Sequence, residues 1–223
     1  MQLLIKCIAI DMDGTLLNSK EKISLANAKA IKKAQSEGIE VIVATGRAYI
    51  EAQHVLQEAD VQCPVISING AVVFDQEGKV IASHPMDKME YRTTREILEQ
   101  LEIYYEIFTN KGIFSKDKAY TIATLADIFL TAMPHLDAEY IIKQASKRFD
   151  LGHVVEVDNY DDLDKDDELE VYKVLAFSGK LEKLLEAKEL LTEKTALAIS
   201  SSGKENLEIS SDEAQKGIAL EAF

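Results

Sequence analysis

The chain is poor in cysteine, in positive charge and in long apolar runs, and each shortage excludes something. Only Cys7 and Cys63 occur in 223 residues. Neither has the spacing of a metal knuckle or a redox pair, and both have apolar neighbours. Both are expected to be small core residues rather than a disulfide or a reactive thiol, which fits a reducing cytoplasm. Lys and Arg total 25 against 39 Asp and Glu, a formal net charge of −14. With no basic tract and no aromatic-interleaved patch, that balance argues against a nucleic-acid surface. It leaves room for an anionic small substrate, provided a local positive site exists inside the negative molecule. No apolar run approaches the length of a membrane span, and Met1 to Lys6 lack signal-peptide anatomy, so a soluble cytoplasmic protein is expected. His54, His84, His135 and His153 share no ligand spacing. The acidic stretch Asp158 to Glu170 has Leu163 where a calcium loop needs glycine, and is expected to be a solvated loop or helix.

What the chain does have is an ordered α/β pattern. Leu3 to Ile10 is an apolar strand run. Ser24 is placed to cap a helix that Gly38 ends. Ile39 to Ala44 is a second strand, Tyr49 to Ala59 a second helix and Val65 to Ile68 a third strand. This strand–helix–strand–helix–strand order predicts a right-handed parallel unit. Ala71 to Phe74 and Lys79 to Ala82 read as a hairpin. After Pro85 the texture changes. Asp87 with Glu90 fits a capping box opening a helix to about Leu101. Tyr104–Phe108 and Gly112–Ser115 read as paired strands, with helices near Thr121–Met133 and Asp137–Phe149. Val154–Val157 and Val171–Phe177 follow as strands, Leu181–Leu191 as a helix, and Ala196–Ser200 with Asn206–Ser210 as a last strand pair. The expected organisation is a Rossmann-like parallel core in residues 1–84, an inserted α+β domain in 85–210, and a return to the core in 211–223.

Residues 11 to 15, Asp-Met-Asp-Gly-Thr, end the first strand at the edge where open α/β sheets bind ligands. In an extended chain Asp11 and Asp13 point the same way. Two converging carboxylates repel unless a cation or a shared proton compensates them, and Mg²⁺ is the natural hard cation for such oxygens. Thr45 and Gly46 end the neighbouring strand, so both strand ends face one crevice. Lys216, after the insert, supplies a positive charge that the acidic chain otherwise lacks.

At these residues the chain resembles the haloacid dehalogenase superfamily phosphatases, of the Cof-type subfamily with a large α/β cap. The first motif is Asp11-Met12-Asp13-Gly14-Thr15-Leu16 and the second is Thr45 within Thr45-Gly46-Arg47. Ser67-Ile68-Asn69-Gly70-Ala71 matches the subfamily, and the third motif is Lys216 in Lys216-Gly217-Ile218-Ala219-Leu220. The four segments occur in family order along the whole chain. The resemblance implies a Mg²⁺-dependent phosphatase acting on a small phosphorylated metabolite. Asp11 is then the nucleophile and Asp13 the general acid and base. Mg²⁺ sits on the Asp11 carboxylate and the Asp13 backbone carbonyl. Met12, Thr45, Gly46 and Lys216 hold the phosphoryl group. Arg47 and Asn69 are candidates to face the substrate, with a surface cation and a turn residue as their plain alternatives.

The sequence departs from the family at one point. No Gly-Asp segment follows Lys216 to complete the metal shell, and Asp212, Glu213 and Glu221 are misplaced for it. The expectation is a fragment of a longer protein, weak or inactive by itself. The first strand reads as central and buried, and without further strands it becomes an exposed apolar edge. A phosphomutase using the same aspartate pair, and a non-catalytic phosphate-binding or interaction module, are the alternatives. Oligomeric state is not legible.

Overall fold

Short β-branched runs place the strands of the first unit. β1 (Cys7–Asp11), β2 (Glu40–Ala44) and β3 (Val65–Ser67) are parallel. Their register runs from Cys7 opposite Glu40 to Asp11 opposite Ala44, with Val43 opposite Val65. Helix α1 (Leu25–Ser36) joins β1 to β2, and its first turn is closed by Ser24, whose hydroxyl accepts from the Asn27 N–H at 3.1 Å. Helix α2 (Tyr49–Glu58) joins β2 to β3. Strands β4 (Val72–Phe74) and β5 (Val80–Ser83) continue the sheet as an antiparallel hairpin, giving the order β1-β2-β3-β4-β5. Val41, Ile42 and Val43 are all buried, as expected for a strand covered on both faces.

The computed structural model describes residues 5–132 and 137–221. Leu3, Leu4 and Met133, all within expected elements, lie outside the described residues. The chain divides into two units, one made of residues up to His84 and from Glu213 onward, the other Pro85–Asp212.

β1 departs from the reading of a central buried strand. It pairs only with β2 and is the edge of the sheet among the described residues. Cys7 and Ala9 are exposed, Ile8 and Ile10 half-buried. The apolar run is therefore an open edge, the outcome expected when no strand pairs its other side. For the same reason Cys7 is exposed, contrary to its reading as a core residue, whereas Cys63 is buried.

The second unit holds α3 (Lys88–Gln100), β6 (Tyr104–Thr109), β7 (Gly112–Lys116), α4 (Lys118–Ala132) and α5 (Ala138–Asp150). It continues through β8 (Val154–Val157), β9 (Val171–Phe177), α6 (Leu181–Lys194), β10 (Ala198–Ser200) and β11 (Asn206–Ser210). Its six-stranded sheet has the order β10-β11-β9-β6-β7-β8, antiparallel except between β7 and β8. One face packs Ile107, Val174 and Ile209 against Leu98 of α3 and Leu191 of α6. The other packs Tyr104 and Phe177 against Leu125 and Ile128 of α4 and Ala145 of α5.

Two expectations for this unit need correction. Asp87 caps α3 by accepting from the Met89 and Glu90 N–H groups, but no capping box closes. The Glu90 carboxylate instead accepts from the Ala196 N–H at 2.7 Å, tying α3 to the segment before β10. The acidic stretch is not merely solvated. Tyr160–Lys165 form a short helix with Tyr160 1% exposed. Asp161 and Asp164 accept from the Arg95 guanidinium at 2.7 and 2.8 Å, and Asp166 from Lys111 at 2.6 Å. Arg95 is only 6% exposed, and a buried cation needs such anions.

Helix α7 (Lys216–Glu221) belongs to the first unit, where Ala219 packs on Ile42, Ile66 and Val73. No helix among the described residues is long and apolar enough to cross a membrane.

Candidate active site

The site is assembled where β1, β2 and β3 end. Beyond Asp11 the chain makes one tight turn over Met12–Leu16, closed by the Leu17 N–H donating to the Met12 carbonyl at 3.0 Å. Asp13 stays extended and Gly14 takes φ +74°, a value that costs an L-residue with a Cβ. The Met12 side chain is fully buried, which anchors the turn. The two carboxylates, expected to repel each other, each receive a separate cation. Lys216 Nζ lies 2.5 Å from Asp11 Oδ1. Arg47 forks onto Asp13, with Nε at 3.1 and 3.0 Å from the two oxygens and Nη2 at 2.6 Å from Oδ1. Burial by itself would lower the Arg47 pKa, but the Asp13 hydrogen bonds and charge, with Glu21 and Glu51, hold it above its ordinary value. Both pairs are partly open to solvent.

Thr45 is 1% exposed. Its N–H is spent on the Ile66 carbonyl at 2.8 Å, and its Oγ1 accepts from the Arg47 N–H at 3.1 Å. The hydroxyl proton is thus what Thr45 can offer a ligand. It does not cap α2, whose first turn starts from Ala48 with the Glu51 carboxylate accepting the Ala48 N–H. Asn69 donates its N–H to the Thr45 carbonyl at 3.0 Å, and its Oδ1 lies 2.8 Å from where a Cβ on Gly46 would sit. A side chain at position 46 therefore requires the Asn69 amide to swing aside.

One feature went unread in the sequence. Ile68, Asn69 and Gly70 are left-handed in succession, with φ +48°, +60° and +107°. A β-branched residue there is a true outlier, and such positions cost on the order of 1–3 kcal/mol each. The sequence signal was the Asn-Gly dipeptide, which marks a turn but says nothing about the preceding isoleucine.

Asp11, Asp13, Arg47, Thr45 and Lys216 thus occupy linked strand and helix ends. Hard carboxylate oxygens suit Mg²⁺ in kind, and Asp11 and Asp13 are the donors present. Among the described residues, no group of three or more His, Cys, Asp or Glu is placed to hold a metal, so in number they supply only part of a shell.

A parallel three-strand core with a carboxylate pair at the end of its first strand and a lysine on the returning helix defines a Rossmann-like α/β protein with a charged polar site at its strand ends. The family model of the haloacid dehalogenase-like hydrolases matches residues 8–223. Phosphatase YwpJ of Bacillus subtilis (strain 168) is 35% identical over 217 residues, 96% of this chain and 76% of that protein. The 5-amino-6-(5-phospho-D-ribitylamino)uracil phosphatase YwtE of the same organism is 34% identical, covering 96% and 74%. A solved haloacid dehalogenase-like hydrolase from B. subtilis superposes with TM-score 0.84 at 34% identity, over 98% of this chain and 77% of that one. The chain belongs to the haloacid dehalogenase-like hydrolases, among their phosphoric monoester hydrolases.

Proposed function

We propose that the protein hydrolyses small phosphorylated metabolites, sugar phosphates or a related cofactor phosphate, through an aspartyl-phosphate on Asp11. The observation that carries this reading is Lys216 Nζ on Asp11 Oδ1 at 2.5 Å, at the end of a parallel strand in register with the strand that leads into Thr45. In the first half-reaction an Asp11 oxygen attacks phosphorus while the bond from phosphorus to the leaving oxygen breaks. The Asp13 carboxylic acid gives that oxygen its proton. In the second half, the Asp13 carboxylate takes a proton from water, and the hydroxyl oxygen displaces Asp11 to release inorganic phosphate. Arg47 occupies both Asp13 oxygens, so proton donation in the first half requires Arg47 to withdraw. The Thr45 hydroxyl, the Gly46 and Met12 N–H groups and Lys216 hold the phosphoryl oxygens. The Asp11 carboxylate and the Asp13 carbonyl would hold Mg²⁺, whose charge offsets repulsion between the nucleophile and the phosphate.

Full-length protein is expected to hydrolyse a generic aryl phosphate with Mg²⁺, and Asp11→Asn to abolish this. Full activity in Asp11→Asn refutes the nucleophile. Because YwtE is named for it, 5-amino-6-(5-phospho-D-ribitylamino)uracil is the first specific substrate to try. Turnover that depends on a sugar bisphosphate would assign a mutase instead.

A further inference from the structure

We propose that the left-handed turn Ile68–Asn69–Gly70 is a positioning device that sets the Thr45–Arg47 loop in register with Lys216. The proposal deepens the reading given above and rests on it, since it matters only if Lys216 acts at Asp11. On one side the turn grips the loop. The Ile68 N–H donates to the Arg47 carbonyl and the Asn69 N–H to the Thr45 carbonyl, both at 3.0 Å. On the other side it receives the segment that carries the lysine. A Cβ on Gly70 would lie 2.4 Å from the Gln215 carbonyl carbon, 2.5 Å from its oxygen and 2.8 Å from the Lys216 nitrogen. All three are backbone atoms, which cannot swing aside as a flexible side chain does.

The three left-handed residues make both contacts possible at once. They turn two consecutive N–H groups toward the loop and present the glycine to the Gln215–Lys216 backbone. That a buried isoleucine, 4% exposed, is held at φ +48° shows the surroundings dictate the conformation against local preference. The strain lies next to the candidate site, and the two segments it registers hold Thr45, Arg47 and Lys216.

A double-mutant cycle in full-length protein separates this role from a merely structural one. Gly70→Ala is expected to lower kcat about a hundredfold, the scale of a misplaced catalytic group. In the Lys216→Ala background it is expected to lower kcat no further. Gly38→Ala is the control, with φ +78° and open space where its Cβ would go, and should cost stability but not activity. If Gly70→Ala does not fold, Asn69→Gly does, because glycine takes this backbone without strain. Loosening the turn with Asn69→Gly should cost less in the Lys216→Ala background than beside the native lysine. Equal losses in the two backgrounds overturn the proposal, and so does unchanged kcat in Gly70→Ala. Undiminished activity in Lys216→Ala alone would instead refute the reading of the site.

Discussion

Removing the Lys216 ammonium tests whether this lysine serves the proposed catalysis or the fold. In the resting protein its Nζ is 2.5 Å from Asp11 Oδ1, but the two side chains are 38% and 44% exposed. An ion pair that open to water contributes about 0–1 kcal/mol, and for a chain of this size that is at most about 4 °C in Tm. In the proposed mechanism the charge requirement rises when a phosphoryl group arrives beside Asp11 and three oxygens share developing charge. A preorganised donor at such a site is worth about 10²- to 10³-fold in kcat, or about 3–4 kcal/mol of barrier. Lys216→Ala should therefore melt within a few degrees of the parent while losing at least about a hundredfold in kcat. Lys216→Arg should keep the melting temperature and recover only part of the rate, because its planar fork places charge differently. The assays are thermal melting by circular dichroism and initial rates on an aryl phosphate. A large loss of Tm with kcat intact would show that the lysine is a structural clamp, and the reasoning would fall.

Two further outcomes follow from the structure. Asp161 is held below the ordinary carboxylate range by the Arg95 hydrogen bond, with Asn159 second. At Glu99 burial pushes upward, but the Tyr105 hydroxyl and the charges of Lys116 and Arg95 outweigh it and lower its pKa. Both folded-state values lie below the unfolded ones. Their stabilisation is therefore full above about pH 4–5 and is lost as pH falls through the folded values. Acid melts of the parent should show Tm dropping in that window; Arg95→Met should have a lower Tm at neutral pH and a flatter acid limb, and an unchanged profile would contradict the clamp. For the thiols, burial pushes Cys63 up to about 11, whereas Cys7 is exposed. At pH 8 an aromatic disulfide reagent should titrate one thiol in the native protein and two in denaturant; two fast native thiols would contradict the burial of Cys63.

Local signals carried much of the fold. The Ser24 cap and the β4–β5 hairpin rest on patterns that a short window contains, and the parallel order of β1 to β3 on the alternation of strands with helices. The family was legible too, because its motifs are short and fall at strand ends. What the sequence hid depends on distant partners. Glu90 lies where a capping box would place it, yet Ala196, far along the chain, takes the bond. The acidic run looks solvated until Arg95 is seen buried beneath it. Within the site, Arg47 and Asp13 each have a local reading, but their mutual fork appears only once β1 and β2 are aligned. The left-handed Ile68 is the furthest from legible, since isoleucine prefers the opposite backbone and only its surroundings hold it there.

The account turns on Asp11 as the nucleophile. Its most direct test is to quench full-length protein in acid during turnover of a phosphate monoester with Mg²⁺, and to locate covalent phosphate by peptide mass. One phosphoryl group on the peptide carrying Asp11, labile to hydroxylamine and absent from Asp11→Asn, is the result predicted. Undiminished turnover in Asp11→Asn, or a phosphoryl group trapped on another residue, would contradict it.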